Sequence, residues 1–484
     1  MVRCRQHYSY QNEYEIVLGD YNYLWNVFLL FVGAFVVLFA SIVTEKRGVM
    51  VTLGALFAAA SLILTVLQYT ESVEIRGTPI FLSGYTKLFF IAILIPGILS
   101  IIGMGKSPST KKPGLMIFIF LISLGFMLLA ISSFDLLFIF VAFEGVSIPT
   151  YVLAAYGKSD SELEAAIKYF IIGAFSTGII IFGISLYYIS TGSLSLGATP
   201  GFQSVYFLAM GLLIFGFGFK LAIFPLHGWA IDTYTGTSNP VSSYLSTSSK
   251  IMTLIVLVNI FFTSPLFYGY LKIIFAIIAI LTMTFGNVVA ISQNNVKRML
   301  AYSSIAQAGY LSVIFLVAGT SAISLAIVSL FMYVLAYGFM KGGSFLAMES
   351  LGNYDIENFS GMWKRNPAFA VSLSILLLSL AGFPGTLGFI GKYFLFLSVL
   401  STGTALAYLV VIISVINSVV SFYYYGRVMM YMFWRNGSKE RVPNNYILYA
   451  SALFTILFGV LYFLVFSYAQ SLIPHITSFI VGGI

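Results

Sequence analysis

Long apolar segments alternate with short polar segments along nearly the whole chain, and this alternation predicts its elements. A helix needs about 20 apolar residues to cross the hydrocarbon core of a bilayer. Fourteen segments approach or exceed this length. The pattern therefore predicts an all-α membrane protein of about fourteen transmembrane helices. In chain order the predicted spans are 22–44, 48–70, 79–103, 114–131, 135–156, 164–190, 203–224, 240–262, 266–290, 299–318, 321–347, 367–387, 404–433 and 444–472.

Two further apolar pieces are too short to cross the membrane alone, and each follows a proline. Residues 227–237 come after Pro225 and the seventh span, and residues 388–400 come after Pro384 and the twelfth. A proline inside a helix lacks an N–H and frees the carbonyl four residues earlier, which for Pro384 is that of Leu380. Helices 7 and 12 are therefore predicted to be broken. Irregular backbone at membrane depth is tolerated only where it is buried or lines water.

The two broken spans lie five helices apart, and this spacing indicates an internal repeat. Paired interrupted helices at corresponding positions are typical of transporters that are built from inverted repeats. Because five is an odd number, the units formed by spans 4–8 and 9–13 would have opposite topology in the membrane. We predict an N-terminal three-helix segment, two five-helix repeats and a C-terminal helix, bounded at 1–113, 114–262, 263–433 and 434–484.

The composition supports the membrane assignment and excludes several classes of protein. Hydrophobic residues make up 60% of the 484 residues and charged residues only 8%, whereas soluble domains carry roughly 25% charged residues. This excludes a soluble enzyme, a disordered chain and a nucleic-acid-binding protein. The single cysteine, Cys4, excludes a disulfide framework and a thiolate metal site. No phosphate-binding glycine loop or paired-histidine metal motif is present, so we expect no cofactor in this chain.

The distribution of basic residues between the loops predicts the orientation of the chain. Cytoplasmic loops carry an excess of Lys and Arg. The loops after even-numbered spans contain only Arg76, so the odd-numbered loops are predicted to be cytoplasmic and both termini to lie outside. The polar leader, residues 1–20, lacks the apolar core of a signal peptide. The thirteen basic residues of the odd-numbered loops are Lys46, Arg47, Lys106, Lys111, Lys112, Lys158, Lys297, Arg298, Lys364, Arg365, Arg435, Lys439 and Arg441.

Ionisable residues within the apolar spans are the strongest indication of function. Each costs about 2.5–3.5 kcal/mol at a helix centre, and such residues mark ion or proton pathways by default. Three of them have structural alternatives. Lys87 lies near the start of its span and could snorkel to the interface, Lys168 follows Glu164 by one helical turn, and Lys341 lies among small residues. The residues of this kind are one carboxylate, Glu144, and six lysines, Lys87, Lys168, Lys220, Lys250, Lys341 and Lys392.

Uncharged polar residues near the predicted breaks are further candidates for a relay. Ser303 and Gln307 lie one turn apart in the tenth span, where they could hold a proton path or simply bond neighbouring helices. His227 stands at the break after the seventh span. Histidine titrates near neutral pH and suits a relay, although a structural role at a helix break fits equally well.

Several segments together resemble the antiporter-like membrane subunits of respiratory complex I, and among these most closely subunit N of NADH-quinone oxidoreductase. The resemblance covers about residues 115–400. The lysine in GFIGKY and the absence of a long lateral helix favour subunit N over its larger relatives L and M. The segments that carry the resemblance are FEGVSIPTYVLAAY, EAAIKYFIIGAFSTGIIIFGISLYY, FKLAIFPLHGWAIDTYTGTSNPVSSYLSTSSK, KRMLAYSSIAQAGY and LSLAGFPGTLGFIGKYFLF.

The resemblance implies a role for individual residues. Glu144 matches the glutamate of the fifth helix, and Lys220 matches the lysine of the seventh helix that pairs with it. Lys250 matches the bridging lysine of the eighth helix, and Lys392 matches the lysine of the twelfth helix near the outer half-channel. Secondary relay candidates are Lys168, His227, Lys341, Ser303 and Gln307.

The resemblance also implies an activity and a set of partners. The chain is expected to be a proton-translocating subunit of a quinone-reducing respiratory complex in the cell membrane of a prokaryote. Quinone, iron–sulfur clusters and optionally flavin would lie in partner subunits, with no redox centre in this chain. Two alternatives share the broken helices and buried lysines: a subunit of an Mrp-type cation/proton antiporter, and a membrane subunit of a membrane-bound hydrogenase.

The mechanism expected from these matches is an alternation of charge. An ion pair between Glu144 and Lys220 would hold the lysine charged. When the pair separates, burial would disfavour the charged ammonium. The proton would then pass through Lys250 to Lys392 and leave on the outer side.

Overall fold

The computed structural model describes residues 24–68, 73–75, 78–107, 112–264, 269–438 and 440–473. Several positions used in the sequence analysis lie outside these residues, so the structure does not bear on them. They are the leader at 1–20, both chain termini, Arg76, Lys111 and Lys439.

The described residues form an assembly of α-helices with one short hairpin. Strands β1 (Val73–Glu74) and β2 (Phe81–Leu82) pair antiparallel, with Val73 opposite Leu82. The first ten helices are α1 (Trp25–Val43), α2 (Arg47–Leu67), α3 (Gly84–Gly103), α4 (Pro113–Ile131), α5 (Leu136–Ala154), α6 (Asp160–Thr191), α7 (Gln203–Leu221), α8 (Gly228–Gly236), α9 (Asn239–Ser246) and α10 (Ser248–Phe262).

The remaining helices complete the second half of the chain. Short 3₁₀ segments extend some of them, at Val313–Val317, Met348–Ser350 and Ile356–Phe359. The helices are α11 (Tyr270–Ile291), α12 (Val296–Ser312), α13 (Ile323–Ala347), α14 (Met362–Arg365), α15 (Pro367–Ala381), α16 (Leu387–Leu400), α17 (Ala405–Trp434), α18 (Tyr446–Val460) and α19 (Tyr462–Ser471).

The number of spans agrees with the sequence analysis only in part. Within the described residues, twelve helices are long and apolar enough to cross a membrane, with Asn239–Phe262 counted as one. The bent pair α18 and α19, which turns by 75°, would add a thirteenth. The predicted twelfth span, 367–387, corresponds to α15, and the short apolar piece predicted after it, 388–400, corresponds to α16; both are shorter apolar helices. The predicted number of fourteen continuous transmembrane helices is therefore not confirmed, because the last predicted span is bent and the twelfth is interrupted.

The seventh and twelfth spans break in the same way, as the prolines predict. Ala222 follows the end of α7 and Gly382 follows the end of α15, and both residues have left-handed backbone with φ of 60° and 89°. In each case the N–H of the following residue, Ile223 or Phe383, donates to the carbonyl five residues earlier. This is the Schellman motif, which closes a helix end and satisfies its last carbonyls. The two breaks are alike, and the inverted relation between the two halves stays a prediction.

The most deeply buried elements lie at the centre of the bundle. The α9–α10 span and α12 are buried along their whole hydrophobic window, and α13 along most of it. Helices α1, α2, α6 and α17 bury only about a third of theirs and expose large apolar side chains. Because apolar surface is stable against lipid, the outer helices fit a lipid-facing position. The central helices also contain buried polar residues, among them Lys250, Gln307 and Lys341.

The loops fall into two groups that contact one another within each group. On one side, Asn295 pairs with Asp355 in an isolated bridge, and the Lys106 Nζ donates to the Asn444 carbonyl at 2.6 Å. On the other side, bridges join Ile80 to Ser133 and Asp135 to Ser195. The first group connects loops after odd-numbered spans and the second connects loops after even-numbered spans. This sorting matches the predicted topology, and the orientation relative to the cytoplasm stays a prediction.

One basic residue was assigned to the wrong environment. The sequence analysis counts Lys297 as a residue of an odd-numbered loop, but α12 begins at Val296, and Lys297 is 2% exposed. Its Nζ donates to the carbonyl of Thr237 at 2.5 Å and lies 5.1 Å from the ring centroid of Tyr354. The helix begins one turn earlier than its apolar pattern suggests, so the first turn is packed between neighbouring helices.

The two-sided arrangement predicts the result of cysteine labelling. We expect Glu74→Cys and Arg441→Cys, each in a Cys4→Ser chain, to react with a membrane-impermeant maleimide from opposite sides of sealed vesicles. Both residues are exposed, and they lie in the even and odd groups of loops. Labelling of both positions from the same side would contradict the topology.

Candidate functional site

Lys220 lies in the last turn of α7, immediately before the break, and its ammonium group is buried against α5. The Lys220 Nζ donates to the Oγ of Ser147 at 2.8 Å and lies 4.7 Å from the ring centroid of Phe143. Phe143 and Ser147 are four residues apart, so they lie on one face of α5. A hydroxyl and an aromatic face thus hold this charge, and both come from the helix that carries the predicted carboxylate.

The structure contradicts the direct ion pair that was predicted between Glu144 and Lys220. The Oε1 of Glu144 accepts a hydrogen bond from the Thr177 Oγ1 of α6 at 2.8 Å. Lys220 forms no ion pair with any described carboxylate. Neighbouring residues of a helix point about 100° apart, so Glu144 faces α6 whereas Phe143 and Ser147 face α7. The carboxylate of Glu144 and the ammonium of Lys220 are therefore bound by different hydroxyls, those of Thr177 and Ser147.

Lys250 is completely buried near the start of α10, where a non-helical Thr247 separates α9 from α10. Its Nζ donates to both the carbonyl and the Oγ of Ser304 on α12, each at 2.9 Å. The Ser304 hydroxyl is also 2.7 Å from the hydroxyl of Tyr337 on α13. Lys250 is thus bound to one residue of the central helix through two oxygen atoms.

Lys341, on α13, binds two residues of α12, Leu300 and the serine that precedes Ser304. Its Nζ donates to the carbonyl of Leu300 at 3.0 Å and to the Oγ of Ser303. Lys341 is completely buried, and its Nζ lies 5.9 Å from the ring centroid of Phe345 on the same helix. The adjacent Gly342 and Gly343 pack closely against neighbouring segments, as the small residues around Lys341 predict.

Gln307 connects the central helix to the break in the twelfth span. The Tyr333 hydroxyl donates to the Oε1 of Gln307, and the Gln307 Nε2 donates to the carbonyl of Leu380 at 3.0 Å. Gln307 lies one turn after Ser303 on α12, as the sequence pattern indicates. The side chain cannot titrate, so its contribution is to hold this carbonyl and the tyrosine in place.

Lys392, on α16, reaches back across the break to the end of α15. Its Nζ donates to the carbonyls of Leu380 and Ala381 at 2.9 and 3.3 Å, and it lies 4.3 Å from the ring centroid of Tyr310. Its third partner is the Oγ of Ser418 at 3.4 Å. Leu380 is the residue whose carbonyl is freed by the missing N–H of Pro384, which confirms the prediction from the sequence.

The central helix α12 joins the polar groups of the second half into one row. It supplies partners to Lys250, Lys341 and Lys392, and Gln307 and Lys392 share the carbonyl of Leu380. No hydrogen bond between described residues connects Lys220 to this row. The predicted residues therefore form two groups, one with Glu144 and Lys220, and a second with Lys250, Ser303, Gln307, Lys341 and Lys392.

Lys168 belongs to neither group. Its Nζ forms ion pairs with Glu164 at 2.7 Å and with Asp232 at 2.9 Å, and its side chain is 42% exposed. The pair with Glu164 is the structural alternative expected from their spacing of one turn. Asp232, on α8, was missed because it is distant in sequence. A partly exposed lysine between two carboxylates fits a link between α6 and α8 better than a step in a buried row.

His227 precedes α8 and is also separate from the row. Its ring centroid lies 4.4 Å from that of Phe285 and 5.5 Å from that of Phe224. Its Nδ1 is buried and has no hydrogen-bond partner among the described residues. Aromatic packing at the break is therefore the contact that the structure gives this histidine.

The sequence analysis does not single out three tyrosines of the site, Tyr310, Tyr333 and Tyr337, or two of its hydroxyl residues. Tyr333, Tyr337 and Lys341 recur every four residues on α13, and this stripe was the available signal. Ser147 and Thr177 carry no comparable pattern, because hydroxyl residues are common in membrane helices. Among the described residues, no three His, Cys, Asp or Glu side chains cluster closely enough to hold a metal ion.

Sequence comparison relates the chain to a large group of membrane subunits. Residues 133–421 match the family model described as NADH:quinone oxidoreductase/Mrp antiporter, TM. The F(420)H(2) dehydrogenase subunit N of Methanosarcina mazei is 37% identical over 454 residues, covering 86% of this chain and 88% of that protein. The NADH-quinone oxidoreductase subunit N of Bacillus anthracis is 34% identical over 469 residues, covering 90% and 91%.

Structure comparison gives the same grouping. A chain of respiratory complex I from Thermus thermophilus superposes with a TM-score of 0.81 at 28% identity, covering 92% of this chain and 99% of that one. A chain of the membrane-bound sulfane sulfur reductase, an archaeal respiratory membrane complex, gives 0.83 at 25% identity, covering 96% and 99%. A chain of the Mrp complex from Dietzia sp. gives 0.82 at 18% identity, covering 96% and 99%, which is a likeness of fold.

The hydrogen bonds of Gln307 predict an effect on stability. We expect Gln307→Leu to lower the stability of the chain, because it leaves the Tyr333 hydroxyl without its acceptor and removes a donor from the Leu380 carbonyl. Leaving a buried polar group unsatisfied costs about 1–3 kcal/mol. Thermal unfolding in detergent measures the change, with Gln203→Leu as the matched control at an exposed first turn. Equal loss of stability in both variants would contradict the assigned contacts.

Proposed function

Because the chain belongs to the NADH:quinone oxidoreductase/Mrp antiporter family of membrane subunits, we propose that it is a proton-translocating subunit, of the subunit N type, in a quinone-reducing respiratory complex. The observation that carries the proposal is the row of buried lysines along α12. Three ammonium groups there bind hydroxyl and carbonyl oxygens and form no ion pair with a described carboxylate.

The absence of a fixed countercharge at these lysines favours proton transfer. A buried ammonium that is locked to a carboxylate would stay charged, because separating the pair is strongly unfavourable. Hydroxyl and carbonyl oxygens stabilise an ammonium by hydrogen bonding, yet they carry no net charge. Each lysine of the row can therefore give up a proton without leaving an unpaired carboxylate behind in the membrane.

The first group of residues would control entry into the row. Lys220 is held by Ser147, and Glu144 is held by Thr177, so neither is committed to the other in this arrangement. A shift of one side chain would form the ion pair that was expected from the sequence, and the return of that side chain would release it. When the Glu144 carboxylate is near, its negative charge stabilises the protonated form of Lys220, and when it moves away this stabilisation is lost. This is the alternation of charge in the proposed cycle.

The energy for translocation would come from partner subunits. Moving one elementary charge across the membrane requires about 2.3 kcal/mol per 100 mV of potential. In the proposed function, this chain holds no redox centre. Quinone and iron–sulfur clusters, and optionally flavin, would lie in the partners. The names of its relatives include both an F(420)H(2) dehydrogenase and an NADH-quinone oxidoreductase, so the proposal leaves the electron donor to the partner subunits.

Deprotonation of Lys220 is the step that is simplest to test. We expect Lys220→Arg to abolish proton translocation by the assembled complex, since a guanidinium keeps its proton in proteins. The measurement is acidification of vesicles that contain the complex, with electron transfer to quinone recorded in the same sample. Lys364→Arg, at an exposed position of the short helix α14, is the matched control and should pump normally. Full pumping by Lys220→Arg at normal quinone reduction would rule out this role for the lysine.

The hydrogen bond from Ser147 gives a second expected result. Ser147→Ala removes the one hydrogen-bond partner that the described residues give the Lys220 Nζ. A hydrogen bond to a charged group contributes about 1.5–3 kcal/mol, so we expect proton translocation per electron to fall. Ser147→Thr keeps the hydroxyl and should retain most of the activity. If both variants behave alike in the vesicle assay, the hydroxyl does not position the lysine.

A further inference from the structure

A large groove opens between α4, α5 and α6, away from the row of lysines along α12. Its volume is about 910 Å³, within the range of roughly 300–1,000 Å³ that is typical of ligand sites. Its walls are mainly apolar and come from the second half of α5 and the first half of α6. The exposed side chains along it include Ile148, Val152, Ile167 and Phe170.

Two lysines stand at one end of this groove. Lys112 lies just before α4 and Lys158 lies just after α5, and both side chains are exposed. Neither ammonium forms an ion pair or a hydrogen bond with another described residue. The Tyr156 hydroxyl donates to the Lys112 carbonyl at 2.5 Å and thereby ties the two ends together. Both cations belong to the odd-numbered loops, which are the basic side of the protein.

A tight turn after α5 sets the position of Lys158. Lys158 has φ of 59°, in the left-handed region that residues with a Cβ rarely adopt. Its N–H donates to the carbonyl of Ala155, the residue that follows α5, at 3.1 Å. The turn brings Lys158 to the end of the groove, where it is one of the lining residues.

We propose that this groove binds an anionic phospholipid, with the phosphate between Lys112 and Lys158 and one acyl chain along the walls of α5 and α6. Apolar walls that end at two unpaired cations match a molecule with a long apolar chain and a negatively charged head. Basic pockets between membrane helices on the cytoplasmic side bind anionic lipid headgroups for this reason. The proposal rests on the groove alone and does not depend on the proposed function.

The groove also adjoins the first group of functional residues. Tyr151 lines its inner wall, and the Lys220 Nζ lies 5.9 Å from the ring centroid of Tyr151. An acyl chain in the groove would cover the outer side of this ring. The bound lipid would therefore exclude water from the lipid-facing side of Lys220.

Lipid binding by the purified complex that contains the full chain tests the proposal. The complex is stripped of lipid in detergent, and phosphatidylglycerol and phosphatidylcholine with identical acyl chains are added back and counted by native mass spectrometry. We expect phosphatidylglycerol to bind about tenfold more tightly, since each surface lysine favours an anionic lipid. The double variant Lys112→Gln with Lys158→Gly should lose this preference, although the glycine relieves the backbone strain.

Two further variants and one competitor sharpen the test. Lys158→Arg keeps the cation and should keep the preference, and Lys46→Gln with Lys364→Gln, at exposed positions elsewhere on the same side, should leave it unchanged. Inorganic phosphate alone should not displace the lipid. An equal affinity for both lipids, an unchanged preference in the double variant, or displacement by phosphate would overturn the proposal. Absence of lipid from the assembled complex would do so too, since a partner subunit would then occupy the groove.

Discussion

Every buried ammonium group of this protein needs an oxygen acceptor within a membrane that contains no water to supply one. A carbonyl inside a helix already accepts the N–H four residues later and offers a buried ammonium only its second lone pair, as those of Leu300 and Ser304 do. A break in a helix releases carbonyls from this bond. At the end of α15, the missing N–H of Pro384 leaves the Leu380 carbonyl to Lys392 and Gln307. The irregular backbone and the buried charge thus stabilise each other, and each would be costly alone.

The two halves of the site solve this problem differently. In the first group, the side-chain hydroxyls of Ser147 and Thr177 accept or donate, and α5 continues from Glu144 through Pro149 without a break. In the second group, backbone carbonyls of Leu300, Ser304 and Leu380 take part in binding the lysines. A hydroxyl can rotate, whereas a carbonyl is fixed by its helix. The first group is accordingly the one in which partners can change with the least movement of backbone.

The sequence predicts the helices, the two breaks and the burial of Lys220, Lys250, Lys341 and Lys392, since hydrophobic length and proline act locally. It predicts Leu380 as an acceptor for the same reason. It does not predict that Glu144 and Lys220 form no ion pair. Glu144 and its neighbour Phe143 point about 100° apart around α5, and the rotation of that helix determines which of them faces Lys220. It misses Asp232 and the burial of Lys297, which depend on contacts between residues far apart in the chain.

The central helix has a mechanical property that follows from two adjacent serines. Ser303 binds Lys341 and Ser304 binds Lys250, and neighbouring side chains on a helix diverge by about 100°. A small rotation of α12 about its own axis would therefore draw one serine toward its lysine and the other away. Gln307, one turn further along, would move with Ser303 relative to the Leu380 carbonyl. Ser303, Ser304 and Gln307 do not titrate. A rotation of α12 can nevertheless set the order in which Lys250, Lys341 and Lys392 exchange hydrogen-bond partners.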